Sequence, residues 1–418
     1  MRASHRPLPL LALATCLPPG IACAQPVVRP GVPPPPAVQS AVLPWLRSLR
    51  AAQARKDRAA VEAAARHCIE ALGPWAGNPE EAPRPWHPIE KARPDPDALW
   101  ALWEATWGHL GRSVLWRAVP GGDPRRMRTG LRAAGRPLIA LARWAGLDPS
   151  ARPRLLPEIR AGADYLLALQ RPDGLFPFPD LRGRHPRFGP MVERALRRDP
   201  SILDEGWIVR RAGPSGDLQY DNAICGVALL AAHRATGDPR YLRAARRAAD
   251  WAAAQPVCLN WNYNAFSAWL LGELAARGEE CYAAAAVEKV ELGVLPGLTA
   301  RGRWFDPHNA KLVYHCICVR GLLSTLKGLP PAHPSRPRLL AAARAALDDA
   351  AARVRAHGAF AVATGSEVFA RALRELEAPS PAWREALWID LNAGLHLLRD
   401  RSAPSIGFAL PSCLPPRR

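Results

Sequence analysis

The sequence predicts an all-α chain, and three observations carry the prediction. Apolar residues recur at three- and four-residue spacing along most of its length, the period that gives a helix one buried stripe. Alternating runs bounded by tight turns are scarce, which leaves little room for strands. The punctuation is helical too. Thr236-Gly237-Asp238-Pro239 ends one helix on glycine and opens the next with an aspartate cap and a first-turn proline, and Gly146-Leu147-Asp148-Pro149 repeats the device.

The elements follow in order. Residues 1–24 read as a signal peptide: Arg2 and Arg6 precede the apolar run Leu8 to Leu17, and Ala22-Cys23-Ala24 forms a small-x-small cleavage site before Gln25. That run is too short to cross a bilayer, and no later stretch reaches the ~20 apolar residues a span needs. Export to the periplasm or the medium is expected. Lipid anchoring through Cys16 or Cys23 fits less well, because Thr15 and Gly20 suit that cleavage pattern poorly. Residues 25–37, with four consecutive prolines, read as a stiff tether. Helical periodicity then covers Ala41–Leu72, Ala98–Val119, Met127–Trp144 and Leu155–Leu169. It resumes over Leu218–Ala235, Tyr241–Ala254, Ala265–Ala276, Cys281–Val290, Leu312–Leu326, Leu339–Val354 and Trp383–Leu398. Pro74 to Pro96 is a long loop. No Gly/Ser linker divides residues 38–418, so they are expected to form one domain.

The formal net charge is +19, which draws attention to acidic partners. Yet only five of the 56 basic residues are lysine, and the arginines are scattered over helices. Such a bias also follows from a GC-rich coding sequence. The export signal argues against nucleic acid. Without the signal, seven cysteines remain, with no CxxC and no regular framework, so neither disulfides nor cysteine-held metal organises the fold.

Weak repetition adds a topology. Arg154-Leu155-Leu156 leads into a helix ending Leu169-Gln170-Arg171-Pro172, Arg240-Tyr241-Leu242 into one ending Ala254-Gln255-Pro256, and Arg338-Leu339-Leu340 starts a third. Units two helices apart suit a closed ring of hairpins, an open superhelix or two bundles. Leu169-Gln170-x-x-Asp173-Gly174-x-Phe176, Tyr220-Asp221-Asn222 and Thr236-Gly237-Asp238-Pro239-x-Tyr241-Leu242-x-x-Ala245 together resemble the six-hairpin glycosidase group. The resemblance covers most of residues 97–400. It implies an (α/α)6 barrel, a toroid of about six helical hairpins, and a carbohydrate substrate. It leaves open glycoside hydrolysis, polysaccharide elimination or glycan binding without catalysis.

Three helix openings crowd polar and aromatic residues together: Asp217 to Asn222, Asn260 to Asn264, and Gly302 to Asn309. Hydrolysis needs carboxyl groups on both sides of an oxocarbenium-like centre. Hydrolysis is the leading expectation and elimination the runner-up, with Asp221 and Asp306 as the leading acid/base residues and Asp217 and His308 beside them. Each aspartate also suits a helix N-terminus, with Asp306-Pro307 expected to start the helix that follows. Elimination needs groups that neutralise a uronate and abstract a proton. Tyr263, Asn262, Asn264, Arg303, Asn309, Tyr314 and His315 supply that set. Tyr220, Asn222, Trp261 and Trp304 complete the expected substrate wall, the aromatic rings offering faces to a sugar. His308 and His315 lie seven apart, about 10 Å along a helix, too far to share one metal. No metal or cofactor is expected, since phosphate-binding glycine loops, nucleophile elbows and Asp-rich cyclase motifs are absent from the sequence.

Overall fold

The computed structural model describes residues 28, 31–79, 89–210, 216, 218–358, 363–399 and 410–417. The expected signal segment lies outside them. The chain is all-α. It begins with a hairpin of α1 (Pro36–Ala54) and α2 (Arg58–Leu72), followed by α3 (Pro96–Leu110) and the single turn α4 (Leu115–Ala118). Proline in its first turn starts α1, so the tether ends earlier than expected, and Lys56 at φ +56° breaks what the periodicity suggested was one run to Leu72.

Helices then alternate between two layers. A central row holds α5 (Arg132–Leu147), α8 (Leu218–Thr236), α10 (Trp261–Ala275), α12 (Leu312–Gly328) and α14 (Ala363–Glu375). Each packs on the next in that order, from α8 against α5 to α14 against α12. Each is backed by the next helix in the chain: α6 (Arg152–Leu169), α9 (Pro239–Ala254), α11 (Cys281–Gly293), α13 (Arg336–His357) and α15 (Pro381–Arg399). The return helices run back, so the central helices run parallel and share one N-terminal end.

Composition explains the layers. In α10 every residue except Tyr263 is buried, and a helix that is apolar nearly all round belongs inside. By contrast, α9 is amphipathic, burying Tyr241, Ala244, Ala245, Ala248, Ala249 and Ala252 along one face. Small residues set the central spacing. A Cβ on Gly272 of α10 would sit 2.3 Å from the Ser324 carbonyl oxygen of α12, and one on Gly321 of α12 would sit 2.8 Å from Ala265 of α10. Backbones this close admit only glycine.

The far, C-terminal end of the row is closed by charge. Glu273 on α10 takes Arg234 from α8, Lys327 from α12 and Arg371 from α14 at 3.0–3.3 Å. Burial opposes ionisation of Glu273, but Arg371, Lys327 and Arg234 together outweigh it and hold the carboxyl at about 2. Nearer the middle, Glu367 on α14 meets Arg143 of α5 at 3.1 Å and Arg320 of α12 at 3.3 Å. The first and last central helices are thereby joined.

Two helices escaped the periodicity. In α14 Glu367 and Arg371 are buried among Val368, Phe369, Ala370 and Ala372, so charges interrupt its apolar pattern. The helix α7 (Phe188–Arg198) belongs to an insertion between α6 and α8 and carries three arginines among its eleven residues. It packs Val192 and Leu196 on Ile202 and Ile208 beside a small antiparallel sheet of β1 (Phe178–Pro179), β2 (Leu203–Asp204) and β3 (Trp207–Ile208), in the order β1-β3-β2. The seven cysteines of the described residues are free, and all but Cys281 and the half-buried Cys413 are buried. No helix among the described residues is long and apolar enough to cross a membrane.

Candidate functional site

The three helix openings meet at the N-terminal end of the central row, and most of their polar residues serve the fold. One device recurs. Near the start of each helix a side-chain N–H donates to a carbonyl of the return helix behind it: Asn222 of α8 to Ala248 of α9 at 2.9 Å, Asn264 of α10 to Gly293 of α11 at 2.7 Å, and His315 of α12 to Ala346 of α13 at 2.7 Å. Asn222 also accepts from Phe176 N, and Asn264 from Cys258 N. The preceding loops dock on the same places. Gly174 (φ +92°) and Gly302 (φ +79°) lie where a Cβ would fall 2.0 Å from Arg247 O and 2.1 Å from Ala345 O. Only glycine fits either the conformation or the contact.

These contacts correct several expectations. Asn222, Asn264 and His315 are buried anchors, with no polar atom turned to a ligand in the anchoring bonds described. Burial first, then the nearby Arg353 cation, drives the His315 imidazole down to about 3. It is neutral, and its Nε2–H does the donating. Trp304 is fully buried and donates from its indole to Val294 O at 2.8 Å, while Trp261 packs edge-on against Phe305. Neither ring has a face for a sugar. Arg303 forms a bidentate pair with Asp349 and reaches Gly77 O, so it ties the loop to α13 and to the segment after α2. Asp306 does not start α12, whose N-cap is Lys311. Its Oδ1 instead accepts from the backbone and the amide of Asn309 at 2.8 and 3.0 Å, capping the turn that ends at Ala310.

Asp221 is buried against α5. It accepts from the backbone N–H of Arg132 at 2.9 Å, and the Arg132 guanidinium lies 3.5 Å from its second oxygen. It thus fills the helix-capping role that the sequence allowed, but for the neighbouring helix. Asp217 lies outside the described residues.

What remains at the mouth is aromatic and cationic. Tyr220, Tyr263 and Tyr314 are each only half-buried. Tyr220 stacks on Phe266 at 4.1 Å and lies 6.5 Å from Tyr263. Arg136, exposed on α5, donates to the Tyr220 hydroxyl at 2.6 Å, and Arg132 lies over the Tyr220 ring at 4.3 Å. Phe188 and Phe178 of the insertion flank Arg132 at 5.0 and 5.7 Å. On the α12 side His308 stacks on Tyr314 at 4.0 Å. Asn309 bridges the two halves: its Oδ1 accepts from Asn262 at 2.8 Å, and its amide donates to Asn260 at 3.1 Å.

Arg132, Arg136 and Arg320 were not singled out by the sequence, because nothing distinguishes them among so many arginines. A separate hollow of about 590 Å³ lies in the insertion beside Arg184 and His185. Arg184 donates there to Pro124 O and Met127 O, and His185 caps the start of α7. Its polar groups are therefore occupied by the fold. Among the described residues no three metal-ligating side chains converge. No family model, curated protein or solved structure matches the chain.

Proposed function

We propose that this is an exported carbohydrate-active toroid of the six-hairpin glycosidase kind, with its substrate cleft over the N-terminal ends of α5, α8, α10 and α12. The two-layer alternation and the Arg143–Glu367 join between α5 and α14 support the ring, with α3 completing the circuit beside α15. The cleft reading is carried by one observation: half-exposed Tyr220, with its hydroxyl held 2.6 Å from an exposed guanidinium and its ring shelved on Phe266. Aromatic faces beside polar groups suit a sugar, and a tyrosine oriented by a cation suits proton transfer. This favours elimination at a uronate over two-carboxylate hydrolysis, since Asp221 is taken up by Arg132 and the α5 backbone. Hydrolysis keeps one support, the half-buried Asp306 carboxylate fixed by Asn309 at the same mouth.

The test is incubation with uronate polymers and with neutral glycans, following conjugated-uronate absorbance and reducing ends together. Elimination raises both signals, and Tyr220→Phe abolishes the rise while far-UV circular dichroism is unchanged. New reducing ends with flat absorbance, lost in Asp306→Asn, establish hydrolysis instead. Activity on no glycan, with no binding, overturns the reading.

A further inference from the structure

Among the described residues, the first and last central helices share no broad packed face. The first, α5, packs on α6 and α8, and the last, α14, on α12 and α15. Side chains bridge the seam between them, Arg143 to Glu367 at 3.1 Å among them. Residues 410–417 lie along this seam, at the C-terminal ends of both helices. The segment makes one turn, with Cys413 N and Leu414 N donating to Leu410 O at 2.8 and 3.1 Å, and buries Leu410, Ser412 and Leu414. Ser412 spans the seam: its hydroxyl accepts from Arg143 of α5, and its carbonyl from Arg374 of α14 at 3.4 Å. Arg417 reaches a third helix. Its guanidinium donates to Glu104 of α3 at 2.6 Å and to Asp148, just past α5, at 3.2 Å, and lies 5.3 Å from the Trp100 ring. Among the described residues one backbone bond, Arg417 N to Leu147 O at 2.8 Å, ties the segment to another element. A short segment held by a few side chains, with almost no backbone ladder, opens at a lower free energy than the helices beneath it.

We infer that residues 410–417 are a releasable strap across the ends of α3, α5 and α14, opening as one unit and loosening the α5–α14 seam when it does. With the strap shut, Arg143 is fixed from both sides, by Ser412 and by Glu367, and Arg374 faces the Ser412 carbonyl. With it open, both arginines lose the residue they share. The direct link from α5 to α14 then rests, among the described side chains, on Arg143 and Glu367. The strap stands on these contacts and is independent of the function proposed above.

The experiment is amide hydrogen exchange of the full chain, read by mass spectrometry of its peptides. The amides of 410–417 exchange in a phase of their own, faster than those of α8 and α10, and the last turns of α5 and α14 carry a component at the same rate. Arg417→Ala, on an exposed side chain, removes the charge-assisted bonds to Glu104 and Asp148 and speeds strap exchange by about 10-fold. Leu414→Ala empties a buried anchor and speeds it by more than about 10-fold. In both variants the last turns of α5 and α14 accelerate with the strap, while α9 and α10 keep their wild-type rates. Strap amides that exchange only together with α10 belong to the core and overturn the strap. A faster strap over unchanged α5 and α14 turns is a loose tail without hold on the seam, and overturns it equally. Should Leu414→Ala fail to fold, Arg417→Ala decides alone.

Discussion

Replacing Glu273 by glutamine tests the charge closure of the central row. The carboxylate lies within 3.3 Å of cations from three other helices and is 5% exposed. Its drop from 4.5 to about 2 corresponds to roughly 3 kcal/mol in favour of the charged form in the folded state. The amide keeps the shape and leaves Arg234 and Lys327 without their anion, while Arg371 retains Glu375 at 3.0 Å; breaking such a buried cluster costs about 3–5 kcal/mol. The pH dependence has a definite sign. A folded-state value below the unfolded one contributes stability above pH 4.5 that is lost as pH falls towards 2. Urea denaturation of wild type and Glu273→Gln at pH 7, 5, 4 and 3 should therefore show a gap of several kcal/mol that shrinks below pH 4.5. Glu367 titrates in the same range, but it is present in both proteins and largely cancels. A gap below about 1 kcal/mol at pH 7, or one that stays constant down to pH 3, refutes the closure.

Further outcomes follow from the same geometry. Asp390 is buried, and its burial lifts the carboxyl to about 7 against the bonds from Ser366. Its stabilising contribution is present below pH 3.8 and lost as pH rises through 7, so Asp390→Asn should match wild type near pH 4 in urea melts and exceed it at pH 8 by up to about 4 kcal/mol. Asn264→Ala breaks bonds to Cys258 N, Cys258 O and Gly293 O, and should cost about 2–4 kcal/mol without any ligand present. A loss of glycan binding with unchanged stability would contradict the anchor role. Gly272→Ala forces α10 off α12 and should lower stability by about 1–3 kcal/mol. Gly146→Ala, where a Cβ meets nothing within 4 Å, should raise it by about 0.5–1 kcal/mol.

Helix class and most helix positions were legible because burial leaves a periodic trace. The exceptions obey the same physics. In α14 the buried Glu367 and Arg371, paired with Arg143, Arg320 and Glu273, interrupt the apolar set Val368, Phe369, Ala370 and Ala372, and the short trace is blurred. The candidate site was legible as a place and not as a set of roles. A polar residue at a helix mouth looks the same in sequence whether it faces a ligand or a carbonyl. What decides is the return helix, and Ala248, Gly293 and Ala346 lie 26 to 31 residues beyond the side chains they receive. That pairing is tertiary, and no local pattern announces it. The Gly302 to Asn309 stretch shows the consequence: Arg303 and Trp304 are loop staples, whereas His308, on its Tyr314 partner, remains at the mouth.

The recurring anchor also explains why the internal repetition is faint. Each position demands one N–H aimed at one carbonyl, and asparagine and neutral histidine meet that demand equally, so identity drifts while the role persists. The anchor fixes the rotation of its helix about the axis. A half-buried tyrosine stands one or two residues before each anchor: Tyr220 before Asn222, Tyr263 before Asn264, Tyr314 before His315. These are half of the six tyrosines in the chain. At 100° per residue, a side chain held towards the outer helix turns its immediate predecessor off that contact and towards the row's open end. The buried polar residues and the exposed rings are thus two consequences of one constraint. The fold uses the amides and the imidazole to set the phase, and the phase brings three half-buried phenols to the mouth, Tyr220 against the arginines of α5 and Tyr314 against His308.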